Sequence, residues 1–295
     1  MAFEIPEHFS NSFTENVELL LQQKESRLGR SVTMAPYEGE SAQVVKQFGE
    51  VEFEEAVERH GDTNFSDIDH KQRWVFPTDY DLALPVSKQD EIRQLGSPTS
   101  PYVAAMQAAW NRKIDAVTAA SYFGAARTGK NGATSTVFDT NNVVAVTAGA
   151  AGATGLNLEK LTQVIELARG NEIDEEEELF IAIGKKQLSD LLRTTEVTHK
   201  DYSTVQALVD GKMTGKNFMG LTWLPVYNKL PVDGSGYRRI PVYTRDAIHI
   251  GMWNSLNTMI GPRPDKKYIT QVYMEGTMGG TRTQEGKVFE IKCAE

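Results

Sequence analysis

Residues 42–88 limit the fold of this chain more than any other part. "QVVKQFGEVEFEEAVERH" alternates, with apolar positions at Val51, Phe53 and Val57, and "RWVFPTDYDLALPVS" supplies a second extended stretch. The polar, turn-rich "GDTNFSDIDHKQ" lies between them. Two extended segments with a polar tip describe a long β-hairpin. Glutamates at 50, 52, 54, 55 and 58 prevent these strands from burying both faces in one core. An isolated hairpin is marginal in water, so this one is expected to lie across another subunit.

The clearest regular element follows. Ser100 can cap a helix and Pro101 suits its first turn. Val103, Met106, Trp110, Ile114, Val117 and Ser121 then recur at spacings of three and four. Gly124 is expected to close the helix in a left-handed conformation. The predicted helix, 101–123, is about 35 Å long at 1.5 Å per residue, the length of a spine rather than a connector.

Before residue 42 the chain reads as an arm. Ser12 or Thr14 can cap an amphipathic helix with Phe13, Val17, Leu20, Leu21 and Leu28 toward one side. After 150 the pattern alternates. Asn157 caps a helix carrying Leu158, Leu161, Val164, Ile165 and Ala168 inward and stopped by Gly170. "LFIAI" reads as a buried strand, "KKQLSDLLR" as a short helix, and "NFMGLTWLPVYNKLP" and "IPVYTRDAIHIGMW" as extended. The last segments, "KYITQVYMEGTMGG" and "TRTQEGKVFEIKC", read as a closing antiparallel pair meeting near Gly279 and Gly280. The fold class is α+β.

"GAARTGKNG" (124–132) comes within one residue of a phosphate-binding loop, with Asn131 where Ser or Thr belongs. Such a loop must follow a strand and open a helix, so that backbone N–H groups and the positive helix end meet the phosphates. Here Lys130 follows a helix, whose carbonyl end repels anions. The segment reads as a flexible Gly/Lys loop.

Other chemistry is equally thin. The histidines at 8, 60, 70, 199 and 249 include no pair at metal-ligand spacing. "DIDH" (67–70) and the acidic run Glu175–Glu178 read as solvated turns, without the spaced oxygens of a calcium loop. The single cysteine, Cys293, rules out an intrachain disulfide or a paired-cysteine zinc site and reads as a small buried thiol. Trp74, Phe76 and Tyr80 are expected to pack rather than to stack nucleic-acid bases. No catalytic, cofactor-binding or metal-binding residue is assigned, no cofactor is expected, and the chain is read as not an enzyme. A net charge of −9 argues against tight grip on a phosphate backbone. The N-terminal "MAFEIPEHFSNSFTENVELLLQQ" lacks the cationic start and apolar run of a signal peptide, and no apolar run is long enough to span a membrane.

The order of parts, together with "QQKESRLGRSVT", "FGEVEFEEAVERHGDTNFSDIDHKQRWVFPTDYDLALPVSKQDEIRQLGSPTSPY" and "IAIGKKQLSDLL", resembles tailed-bacteriophage major capsid proteins of the Hong Kong 97 type. The resemblance implies an N-terminal arm (1–41) and an extended loop (42–87). It implies a peripheral domain (88–149 and 246–295) with the spine helix, and an axial domain (150–245). It further implies self-assembly into hexamers and pentamers of an icosahedral shell enclosing double-stranded DNA, which is contacted weakly and non-specifically. Separate scaffolding, portal and decoration proteins, assembly in the host cytoplasm and residence in the virion are implied too. An encapsulin-like compartment shares this fold and is one alternative. A small α/β enzyme using Lys130 or the acidic loop is another.

Overall fold

The computed structural model describes residues 23, 25–49, 51–53, 67–86, 99–193, 215, 217–226 and 230–295. The expected arm helix with its caps at Ser12 or Thr14, residues 61–66 of the expected hairpin tip, His8, His60 and His199 lie outside them, while the last three residues of that tip, His70–Gln72, belong to β3. The strands are β1 (Thr33–Pro36), β2 (Ala42–Phe48), β3 (His70–Val75), β4 (Thr78–Val86), β5 (Ala126–Thr128), β6 (Thr134–Thr136) and β7 (Val143–Val144). They continue with β8 (Leu179–Ile183), β9 (Asn217–Phe218), β10 (Leu221–Pro225), β11 (Arg238–Thr244), β12 (Ile248–Arg263), β13 (Ile269–Arg282) and β14 (Val288–Cys293). The helices are α1 (Thr99–Phe123), α2 (Leu158–Gly170) and α3 (Lys185–Arg193).

Among the described residues the strands form three sheets, ordered β1-β12-β13-β4, β7-β14-β11-β8-β10-β9 and β2-β3-β5-β6. The chain divides into two units. One comprises Met1–Glu25, Asp79–Arg112 and Ser255–Gly276; the other comprises Ser26–Thr78, Lys113–Asn254 and Thr277–Glu295. In the first, Met106 packs with Val272 and Met274, flanked by Leu84, Tyr102, Val103 and Leu256. The second holds the main core, built on the six-stranded sheet. Every residue of "LFIAI" in β8 is buried, between parallel β10 and antiparallel β11. Trp223, Tyr243 and Phe289 fill the same core.

The Asn157 cap forms as expected: its side chain accepts from the Lys160 N–H at 2.9 Å. Beside it, Lys160 is fully buried and donates to the carbonyls of Thr154, Gly155 and Lys292 at 2.8, 3.0 and 2.9 Å. Three acceptors match the three N–H bonds of an ammonium, and burial lowers its pKa. This one side chain ties the linker before α2 to the last strand.

Several expectations are corrected. The spine helix begins at Thr99, so Ser100 and Pro101 lie inside its first turn. Gly124 does not take the left-handed conformation. A Cβ there would come 2.8 Å from the Ala120 carbonyl oxygen, so glycine is needed for space instead. Gly170 lies within α2, and the left-handed residue that ends the turn is Glu172, with φ 59°. The second hairpin strand breaks after Val75, and Thr78–Val86 joins another sheet. Val51 and Phe53 lie beyond the end of β2 and are not in a strand. The closing pair does not form: β13 runs straight through Gly279 and Gly280, while β14 pairs with β11 and β7 in a different sheet.

Candidate assembly surfaces

β2 and β3 pair antiparallel, as expected for the base of the hairpin, registered from Ala42↔Val75 to Phe48↔His70. Its base is buried at Ala42 and Val75 and joins β5 through Arg73↔Thr128 and Trp74↔Arg127. Away from the base the apolar side chains emerge. Phe48 is 67% exposed, Val51 48% and Phe53 fully exposed, with Ile68 also exposed. Apolar groups gathered at one end of a charged ribbon mark an interaction surface.

The base is held rigidly. Arg282 is buried and donates from Nη1 to the carbonyls of Tyr122 and Gly124, 2.9 Å each, satisfying orphan carbonyls at the end of α1. Its Nε and Nη2 donate to Glu285, which also pairs with Arg73 of β3. Gln47 of β2 donates to the Thr283 carbonyl at 2.7 Å, and Asn142 donates to the Glu285 carbonyl at 2.9 Å. The ribbon is thereby fixed to the link between β13 and β14. An open cleft of about 690 Å³ lies here, lined by residues of β2, β3, β5, β6 and that link.

A second anchor holds the segment after the arm. Asp115, fully buried on α1, accepts from Ser26 Oγ at 2.7 Å and from the backbone N–H groups of Arg27 and Leu28 at 3.1 Å. Leu28 is fully buried, and Ser31 shares a 2.6 Å hydrogen bond with the Tyr243 hydroxyl. Burial pushes the Tyr243 pKa up to about 12. Within the six-stranded sheet, Glu290 takes a bidentate pair from Arg239 at 2.7 and 2.6 Å, and the Arg239 guanidinium lies 4.1 Å from the Phe123 ring.

The residues weighed for chemistry are placed as follows. Lys130 and Asn131 sit in the tip between β5 and β6, where Trp74 Nε1 donates to the Gly129 carbonyl at 2.8 Å. The loop expected to be flexible is therefore tied to β3, and Gly132 abuts the Phe76 ring. Asp67, Asp69 and His70 are exposed, and Asp69 pairs with Lys71 at 3.1 Å. Glu175 and Glu176 are exposed, while Glu177 pairs with Lys287 and Glu178 accepts from Thr222. Cys293 is buried, which pushes its thiol up to about 12. Tyr80 packs edge-on to Trp110 at 6.5 Å. Among the described residues no group of three or more His, Cys, Asp or Glu is placed to hold a metal, and no helix is long and apolar enough to cross a membrane. Asp115 and the Arg73–Glu285–Arg282 hub were missed by sequence reasoning, because each depends on partners distant along the chain.

Comparison with known proteins gives consistent results. A family model described as "Phage capsid protein" matches residues 5–295. The capsid protein of cyanophage P-SCSP1u is 17% identical, with TM-score 0.73, covering 98% of this chain and 94% of that one. The capsid of Ralstonia phage GP4 matches at 9% identity and TM-score 0.70, covering 99% and 97%. The cyanophage Pam1 capsid matches at 12% identity and TM-score 0.69, covering 99% and 98%. No curated protein matches.

Proposed function

Because this chain belongs to the phage capsid protein family and has the fold of tailed-phage capsid subunits, we propose that its copies close as hexamers and pentamers into an icosahedral shell around double-stranded DNA. The observation that carries this reading is the β2/β3 ribbon, whose base is locked by Arg73 and Glu285 and whose far end exposes Phe48, Val51 and Phe53. A fixed lever with an unsatisfied apolar end suits a neighbouring copy. Obligate interfaces commonly bury on the order of 2,000 Å² or more. The net charge of −9 suits a container through which DNA must slide without sticking.

In this reading residues 1–41 are the arm, 42–87 the extended loop, 88–149 with 246–295 the peripheral domain, and 150–245 the axial domain. Scaffolding, portal and decoration proteins act as separate chains, and assembly takes place in the host cytoplasm. The family match, more than the physics of the sequence, favours a phage shell over an encapsulin-like compartment or an enzyme.

The test is a Phe48→Asp/Phe53→Asp double variant. Both rings are exposed, so unfolding of the subunit should shift by less than about 0.5 kcal/mol, as for ordinary surface changes. Closed particles should disappear from electron micrographs. Normal particles from this variant would remove the role given to the ribbon end.

A further inference from the structure

Residues 33–41 form a strap between two fixed points. Before it, Asp115 grips residues 26–28, and Ser31 bonds to Tyr243. After it, Ala42 is buried at the base of the ribbon. The strap itself is held lightly. β1 has four residues, lies at the edge of its sheet and pairs on one side only, parallel with β12. Just beyond β1, the Tyr37 N–H donates to the Met252 carbonyl at 2.9 Å. The Tyr37 ring lies 5.6 Å from each of the His249 and Trp253 rings. Gly251 makes room for this cluster, since a Cβ there would come 2.8 Å from the Trp253 ring and 3.0 Å from the Tyr37 ring. The Tyr37 hydroxyl and His249 Nε2 share a 2.9 Å hydrogen bond.

His249 is only 7% exposed. β1 carries no charged residue, and Glu38 and Glu40 are exposed. The charged side chains of the adjoining elements are engaged elsewhere: Asp246 with Lys287, Arg245 over the Phe180 ring, and Arg282 on the end of α1 and Glu285. Burial is the one influence that moves the imidazole pKa, downward, so no charged group among the described residues offsets it. The Tyr37 hydroxyl can accept from a protonated ring but has no charge to match it.

We propose that Tyr37, His249 and Trp253 form an acid-released clasp: at neutral pH they hold the strap against β12, and one proton taken up by His249 lets it open. The sign follows from burial. A ring that is buried when the strap is closed and wet when it is open takes its proton more readily in the open form. Opening is favoured as pH falls below about 6.5, the ordinary value for an imidazole. One proton per opening makes the open fraction about tenfold larger for each pH unit, until the closed form titrates as well. A short edge strand can open in this way while the core stays folded. The clasp belongs to a single subunit and does not depend on shell formation.

Hydrogen exchange at the Tyr37 amide, with rates divided by those of the unstructured peptide at the same pH, tests the clasp. Protection should fall about tenfold per pH unit below about pH 6.5, while the amides of β8, buried in the core, keep theirs. His249→Gln should abolish the slope. Tyr37→Phe keeps the ring and loses the hydrogen bond, and should lower protection at neutral pH. Protection that is flat with pH, or that falls equally in His249→Gln, overturns the clasp. So does a loss shared by Tyr37 and β8, which would be unfolding of the whole subunit, and so does unchanged protection in Tyr37→Phe.

Discussion

A single carboxylate at the inner face of α1 decides how the segment after the arm is held. Asp115 meets three donors from residues 26–28, which lie 87 to 89 positions earlier in the chain. Asp115→Ala would strand the buried Leu28 N–H and release its neighbours, a loss of about 3 kcal/mol, to be measured by denaturant unfolding against Asp115→Asn. The apolar stripe of the sequence located this helix, and Met106 and Ile114 are buried as expected. A period of apolar residues cannot locate Asp115, Thr118 or Lys160, because buried polar groups are identified by distant partners rather than by spacing. A pH dependence also arises at this scale. His249, paired with Tyr37 at 2.9 Å, has its pKa lowered by burial. The unfolded chain takes up the proton near pH 6.5 while the folded protein resists it. The stability contributed by neutral His249 is therefore present above about pH 6.5 and is lost progressively as pH falls below it. His249→Gln should flatten the fall in thermal midpoint between neutral and mildly acidic pH. An unchanged slope would show that the ring titrates freely.

At the scale of elements, three glycines set how β13 meets its neighbours. A Cβ at Gly276 would lie 2.4 Å from the Trp110 ring, one at Gly279 2.1 Å from the Phe76 carbonyl, and one at Gly280 2.2 Å from Ser121 Oγ. Gly276→Ala and Gly280→Ala should each destabilise by about 1–3 kcal/mol through overpacking, with Ser121→Ala recovering part of the second. The sequence presents Gly279 and Gly280 as a turn, since alternation cannot distinguish a turn glycine from one that admits a neighbour. The break between β3 and β4 was missed, because "RWVFPTDYDLALPVS" reads as one extended stretch in spite of its proline. Pro77 has no N–H to give a ladder, and a proline inside an extended run demotes it. The short elements were the most legible: "LFIAI" and "KKQLSDLLR" match β8 and α3 residue for residue, because the first is apolar throughout and the second follows immediately after Gly184.

For the whole molecule, the charge pattern of residues 42–88 anticipated strands with an exposed end, seen at Phe48 and Phe53, but not that Ala42, Arg73 and Val75 are buried at the base, where β3 pairs with β5. Which strands paired within the sheets was not legible, because β7, β11 and β14 come together from positions far apart in sequence. Replacing residues 54–66 by a short Gly/Ser linker keeps both paired strands, β2 and β3. The subunit should fold with an unchanged thermal midpoint and fail to close shells. Full-size particles from this variant would show that the tip is dispensable. The most direct test of the central claim is electron microscopy of the purified protein at high concentration, with its sedimentation profile. The expected result is closed icosahedral particles with hexameric and pentameric capsomers. A monomer that stays compact under every assembly condition would contradict the claim.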